Sequence, residues 1–434
     1  MTQLPLRKVD SALYKLIKAE QKRQQQTLTM IPSENHASLA VLQALGSILT
    51  NKYTEGYPQK RYYQGNEYYD EIELLAIERA KEIFDVPHVN VQPYSGTPAN
   101  AAIYLALLQP GDTILSMSLP AGGHLSHGHP KITMTGKFYN CVHYGVTKEG
   151  LIDYDEVLKL AKKHKPKLII CGYSAYPRLV DFAKFAKIAR EVDAWLLADI
   201  SHIAGLVAGR MHPSPVSHAH VVMTTTHKTL RGPRGGMIMV TRKGLRKDSK
   251  LAQKIDKAVF PGLQGGPHNN NIAALAVALK EASKASFKNY ARKIIQNANV
   301  LATGLQERGW QLISGGTDTH LLLADMRPFE VNGKVAAEAM EVAGLVMNAN
   351  AIPYDPAPPY RPSGLRFGTP AITTRGLGVQ QMRQVVEWMD QVIQIIKGRG
   401  DDTQGLYQTK ALRDIARQVA KLGQEFPVPG ITEE

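Results

Sequence analysis

The sequence predicts an α/β protein built on a mostly parallel sheet with helices on both faces. Two observations carry that prediction. Between about residues 90 and 240, short apolar runs alternate with helical segments, which is the rhythm of βαβ units. Asp199 closes one of these runs and His227-Lys228 follow another closely. In parallel sheets ligands gather at the C-terminal ends of the strands.

Taken in order, residues 11–26 are polar, with apolar positions at Leu13, Leu16 and Ile17, and read as an exposed N-terminal helix or arm. The stretch Tyr53-Thr54-Glu55-Gly56-Tyr57-Pro58, followed by Arg61-Tyr62-Tyr63, is turn-rich, aromatic and charged, unlike a simple linker. Residues 71–80 read as a helix. Strands are predicted at 112–116 after the turn Pro110-Gly111, at 167–172, at 194–199 and at 220–224. Residues 181–191 form a helix with Phe182, Phe185 and Ile188 on one face. Residues 272–308 read as one long helical region bridging to a second domain. Strand signals follow at 321–324 and 364–368, and helices at about 378–397 and 410–422. Pro353, Pro356, Pro358, Pro359 and Pro362 mark a semi-rigid loop. The expected organisation is an arm (1–28), a large domain (29–280) and a small C-terminal domain (281–434).

The chain has 434 residues, 44% hydrophobic and 21% charged, which excludes a disordered tail, a collagen-like rod and a disulfide-framed mini-protein. Its 52 Lys and Arg against 38 Asp and Glu leave a net charge of +14. Read alone, that charge points to nucleic acid, a membrane surface or an anionic small molecule. Cys141 and Cys171 lack CxxC spacing and read as reduced thiols of a cytosolic protein, with no metal site. Residues 1–9 carry no targeting pattern, and no apolar run approaches the roughly 18 residues of a membrane span, so a cytoplasmic protein is expected.

The sharpest segment runs from Thr224 through Thr226-His227-Lys228-Thr229 to Gly235-Gly236. A lysine just past an apolar strand, before a Gly/Pro turn, can be held partly desolvated. Its lowered pKa then lets it condense with an aldehyde, as a pyridoxal-phosphate Schiff base requires. Upstream, Asp199 closes its strand and could pair with a pyridinium nitrogen, provided a cation or several hydrogen bonds offset its burial. Further upstream, Ser95-Gly96-Thr97-Pro98-Ala99-Asn100 opens a helix whose free N–H groups and hydroxyls make an anion cup suited to phosphate.

These residues carry a resemblance. From about residue 31 to 375 the chain resembles serine hydroxymethyltransferase, a pyridoxal-phosphate enzyme of the aspartate-aminotransferase-like fold (fold type I). Its most specific pieces are Ile31-Pro32-Ser33-Glu34-Asn35, Asn51-Lys52-Tyr53-Thr54-Glu55-Gly56-Tyr57-Pro58, Arg61-Tyr62-Tyr63 and Thr226-His227-Lys228-Thr229. To these add Phe260-Pro261-Gly262-Leu263-Gln264-Gly265-Gly266-Pro267 and Arg366-Phe367-Gly368-Thr369-Pro370-Ala371. The resemblance implies a large, mostly parallel seven-stranded sheet domain that binds pyridoxal phosphate, and a smaller α+β C-terminal domain.

It also implies roles. Lys228 would form the internal aldimine, Asp199 would meet the pyridinium nitrogen and His124 would stack on the ring. Ser174 and His202 would contact the phenolic oxygen or the substrate carboxylate. Ser95, Gly96, Thr97 and His227 would surround the phosphate, and Gly262, Gly265 and Gly266 would reach the phosphate of a neighbouring subunit. Arg366, with Ser33, would clamp the amino-acid carboxylate. Tyr53, Glu55 and Tyr63 would come from the partner of a homodimer, Glu55 handling protons. Tyr62, Leu119, Gly123, Leu125 and Asn350 would lie along the folate. The implied reaction, through an external aldimine, moves the serine hydroxymethyl carbon to tetrahydrofolate, or a modified pterin, giving glycine.

Plainer readings stand beside these. Tyr53, Tyr62 and Tyr63 could simply pack an interface, His202 could be a core histidine, and the 262–266 glycines could be a tight turn. The chain departs from the family pattern at Ala121, Thr97-Pro98, Ser201, Ala349 and Asn270. Two competing functions also fit parts of the sequence: a folate-independent aldolase acting on threonine, allo-threonine or an α-methylserine, and a nucleic-acid binder suggested by the charge.

Overall fold

Seven strands between residues 88 and 240 form the large sheet in the computed structural model, which describes residues 4–431. The first three residues of the expected arm and the last three of the C-terminal part lie outside the described residues. The strands are β1 (His88–Asn90), β2 (Thr113–Met117), β3 (Asn140–Tyr144), β4 (Leu168–Gly172), β5 (Trp195–Asp199), β6 (Val221–Thr225) and β7 (Gly236–Val240). They lie in the order β1-β7-β6-β5-β4-β2-β3, with β7 antiparallel to β6 and β1 and the other pairs parallel. β4, β5 and β6 are nearly continuous apolar runs because both faces of the sheet are covered. Alternation along β4 shows this: Ile169 packs into the core on one face with Phe185 and Leu206, while Leu168 and Ile170 face Ile103 and Ile255 on the other.

The expected strands of this sheet are present, with boundaries moved by about a residue. The expected helix at 71–80 is longer, Glu67–Phe84. The single helical region expected over 272–308 is two helices, Asn269–Ala282 and Ala285–Gln306. Lys284 is extended between them, and the Ser283 hydroxyl caps the first by donating to the Lys280 carbonyl. The apolar periodicity runs on through this break, so the pattern alone hides it.

A second sheet, β8 (Gln311–Leu312), β9 (Leu321–Asp325), β10 (Asn348–Asn350) and β11 (Gly364–Gly368), is antiparallel in the order β8-β9-β11-β10. It shares a core with the helices Val379–Ile396 and Lys410–Glu425. The helix Ala285–Gln306 serves both cores: Phe287, Tyr290 and Ile294 pack with the large sheet, Leu301 and Leu305 with the small one. The arm belongs with the small sheet's core, since Leu28 and Met30 are buried in it and Leu28–Thr29 pairs in parallel with Leu345–Val346. Arg375 fastens the arm there, donating to the carbonyls of Thr27 (2.6 Å), Gln24, Gln25, Gly423 and Phe426. Among the described residues no helix is long and apolar enough to cross a membrane.

Candidate active site

The C-terminal ends of β4, β5 and β6 open on a cavity of about 420 Å³. It is lined by eleven of the residues singled out in the sequence. They are Ser33, Ser95, Gly96, Thr97, His124, Ser174, Asp199, His202, His227, Lys228 and Arg366.

Asp199 ends β5 opposite Gly172 of β4. A Cβ on Gly172 would lie 2.7 Å from the Asp199 Cβ, so only glycine lets the acid sit there. Asp199 Oδ2 accepts from His127 Nε2 (2.9 Å) and Asn100 Nδ2 (3.1 Å), and Oδ1 from the Ser201 N–H (3.0 Å). Burial opposes ionisation of this carboxylate, but the donors from His127 and Ser201 outweigh it and hold the group below the usual carboxylate range. Ser201, a departure from the family pattern, also takes the Thr225 N–H on its hydroxyl and so ties β5 to β6.

Lys228 lies three residues beyond β6 and is almost fully buried. Burial lowers its pKa to about 8; Arg366 and Arg234 push the same way, and Asp199 opposes them. Its backbone is pinned: Asn35 donates to the Lys228 carbonyl (2.9 Å) and to the Tyr290 hydroxyl, and Thr374 donates to Asn35. The next residue, Thr229, donates to the His202 carbonyl (3.0 Å) and accepts from the Gly205 N–H. Burial also drives His227 down to about 3 and His202 well below its ordinary value.

The anion cup is formed by the helix Gly96–Leu107. Ser95 is its N-cap, yet makes no side-chain cap bond, so the first-turn N–H groups and the hydroxyls of Ser95 and Thr97 are left for a ligand. Gly96 presses on β6, where a Cβ would come within 2.6 Å of the Thr225 methyl. His124 Nδ1 accepts from the Ser126 N–H and bonds the Ser126 hydroxyl (2.8 Å), and burial lowers this imidazole to about 4. Arg366 on β11 donates through Nε to Asn348 Oδ1 (3.1 Å) and through Nη1 to the Ser174 carbonyl (2.8 Å). Burial lowers even this guanidinium to about 10.

The other predicted residues are not in this cavity. Tyr53, Glu55, Tyr62, Tyr63, Gly262, Gly265 and Gly266 form a separate surface patch. There Tyr53 and Tyr63 meet with ring centroids 5.7 Å apart and Tyr62 sits edge-on to Phe260. Gly265 and Gly266 face Glu55 and Tyr53 so closely that a Cβ would lie 3.1 and 3.0 Å away. Leu119 and Leu125 are exposed on the loop carrying His124, and Gly123 turns that loop against Met117. Asn350, on β10, donates to the carbonyl of its own neighbour Ala351.

Asn100, Ser126, His127 and Arg234 line or support the cavity and carry no role of their own in the sequence, where Asn100 appears only as the end of the 95–100 cup. Asn100 carried a signal, as a polar residue on the buried face of an otherwise apolar helix. His127 had one too: it stands three residues after His124, on the same 3-10 turn.

The cavity fits pyridoxal phosphate on its own evidence. It offers a buried lysine, an ionised acid at a strand end, a helix N-terminus with free donors, and a His227 Nδ1 buried without a partner among the described residues. Fold and cavity together define an α/β enzyme with one buried lysine at the strand ends of its sheet. A family model described as serine hydroxymethyltransferase matches residues 6–389. The chain is 52% identical over 423 residues to a serine hydroxymethyltransferase of Acidothermus cellulolyticus, covering 97% of this chain and 96% of that one. It is 53% identical to that of Sorangium cellulosum over 98% and 97% of the two chains, and 54% to that of Nostoc punctiforme over 88% of each. The chain belongs to the serine hydroxymethyltransferase family, whose fold is that of fold-type I pyridoxal-phosphate enzymes.

Proposed function

We propose that the chain transfers the hydroxymethyl carbon of serine to tetrahydrofolate, giving glycine, 5,10-methylenetetrahydrofolate and water, with pyridoxal phosphate held in the Lys228 cavity. The observation that carries this reading is the convergence of Lys228, Asp199, Arg366 and the helix N-terminus at Ser95 on one cavity, in a chain of this family. Pyridoxal phosphate, when bound, supplies an aldehyde for amines and a ring that takes up the electron pair left on the α-carbon.

The chain's own residues prepare that chemistry. Lys228, poised near pH 8, offers a neutral amine at little cost. Asp199 stays ionised to face a pyridinium N–H. Ser95, Gly96, Thr97 and His227 receive the phosphate, and His124 covers the ring. Arg366, already fixed by Asn348 and the Ser174 carbonyl, clamps the amino-acid carboxylate with its planar fork, assisted by Ser33. Leu119, Gly123, Leu125 and Asn350 contribute to the folate wall.

The chain works as at least a homodimer, in which Tyr53, Glu55, Tyr62, Tyr63, Gly262, Gly265 and Gly266 complete the partner's site. Glu55 handles the proton of the serine hydroxyl. The exposure of Tyr53 and Tyr63 away from their own cavity supports this arrangement. So do the exposed side chains of Leu39, Leu42, Ile48, Leu74 and Leu75, on elements that pack side by side on Asn269–Ala282. A cytoplasmic setting suits the two free thiols.

The test is glycine release from serine with and without tetrahydrofolate. Strong stimulation by the pterin is expected. Serine or threonine cleavage indifferent to every pterin would instead favour the folate-independent aldolase.

A further inference from the structure

Two buried histidines meet behind the cavity, and only His202 lines it. His320, on the turn leading into β9, is fully buried. His202 Nδ1 lies 3.3 Å from His320 Nε2, with the rings nearly parallel. Their remaining nitrogens differ. His320 Nδ1 is sealed among protein atoms with no hydrogen-bond partner among the described residues. His202 Nε2 is not sealed and has no partner among the described residues, so it is the nitrogen that meets whatever enters.

Burial and the charge of Lys228 and Arg366 keep both rings neutral. Two neutral imidazoles can share one N–H in two ways. If His202 donated, the proton of His320 would sit on Nδ1, a sealed donor with no acceptor, and orphaned buried N–H groups are the rarer defect. If His320 donates through Nε2, its Nδ1 keeps only a lone pair. His202 Nδ1 then accepts, and the His202 proton must sit on Nε2.

We propose that His320 is a positioning residue that fixes His202 as its Nε2–H tautomer, so that the cavity meets a fixed N–H donor suited to a phenolate or carboxylate oxygen. The backbones hold the pair in place: Thr229 donates to the His202 carbonyl and the Thr369 N–H to that of His320. The proposal rests on the reading of the cavity as the amino-acid site.

The test is a long-range proton–nitrogen correlation on full-length, histidine-labelled holoenzyme, with the His202 signals assigned by their loss in H202N. A proton on Nε2 and a bare Nδ1 are expected, and a protonated Nδ1 would overturn the proposal. Glycine binding to two variants gives the second readout. H320Q, whose amide can still donate, keeps its Kd within about twofold, and H320L, which cannot, weakens binding about tenfold. Equal losses in H320Q and H320L would mean a merely structural role. A protein that has the expected tautomer but binds no glycine would leave this proposal standing and overturn the reading of the cavity.

Discussion

Lys228 is the residue for which stability and chemistry pull apart. Buried with Arg366 and Arg234 nearby, its ammonium loses its proton at about pH 8 in the folded chain, against 10.5 for an unperturbed lysine. Below pH 8 both folded and unfolded chains hold the proton, and the folded chain bears the full cost of burying it. Between pH 8 and 10.5 the unfolded chain binds more protons, so stability rises with pH and the cost fades. Lys228→Met should therefore stabilise the cofactor-free protein at pH 7 by about 2–3 kcal/mol in denaturant titrations, with the gain shrinking above pH 8. A less stable K228M would contradict the assignment. Arg366 gives a second prediction, because its fork is what its neighbours orient. Arg366→Lys keeps the charge but loses that geometry, so the KM for serine should rise by about 10- to 100-fold, as expected for charge-assisted hydrogen bonds worth about 1.5–3 kcal/mol. An unchanged KM would remove Arg366 from the carboxylate site.

Between the residues and the whole lies the segment 54–63, organised by one buried guanidinium. Arg61 pairs with Glu73 (2.7 Å) and Asp70 (2.8 Å) and donates to the carbonyls of Thr54 and Gly56, on either side of Glu55. Gln92 bridges Glu73 and the Gly56 carbonyl. Removing Arg61 leaves the Glu73 carboxylate buried and unpaired, so Arg61→Ala should cost about 3–5 kcal/mol, whereas R61M/E73L should cost clearly less. Equal losses, measured by denaturant unfolding, would show that the pair is not the cause. This segment also marks what a sequence reveals. The strand that ends in Asp199 and the one that precedes Lys228 were legible because strands buried on both faces are continuous apolar runs. The edge strand Asn140–Tyr144 and the antiparallel β7 were not, since one is half polar and the other follows directly on a Gly-Gly turn. Within the site, the residues proposed to do chemistry stood out by type and position. Asn100, His127 and His320 act on other side chains across the fold, and contacts between residues 72 or 118 positions apart leave no local pattern.

At the scale of the molecule, the +14 charge is spread rather than focused. Many of the basic residues that stand out in the sequence are exposed, and several are compensated on the spot: Lys162 by Glu191, Arg242 by Asp85, Lys247 by Asp193 and Lys254 by Asp248. Surface pairs of this kind contribute little to stability. The cations that matter are the few gathered at one cavity. If that cavity is completed by a second copy, K228A and E55Q, each inactive alone, should complement when mixed and re-equilibrated. Half of the random dimers are then mixed, each with one intact site, which restores roughly a quarter of wild-type activity. No recovery in verified mixed dimers would place Glu55 and Lys228 in sites that do not share subunits. The central claim is that Lys228 is the amine around which the cavity is built. It is tested most directly by adding pyridoxal phosphate to the chain, reducing with borohydride and mapping the pyridoxyl group by peptide mass spectrometry. A single stoichiometric label on Lys228, absent from K228A, is expected; a label on another lysine, or none, would show that the cavity is not built around this amine.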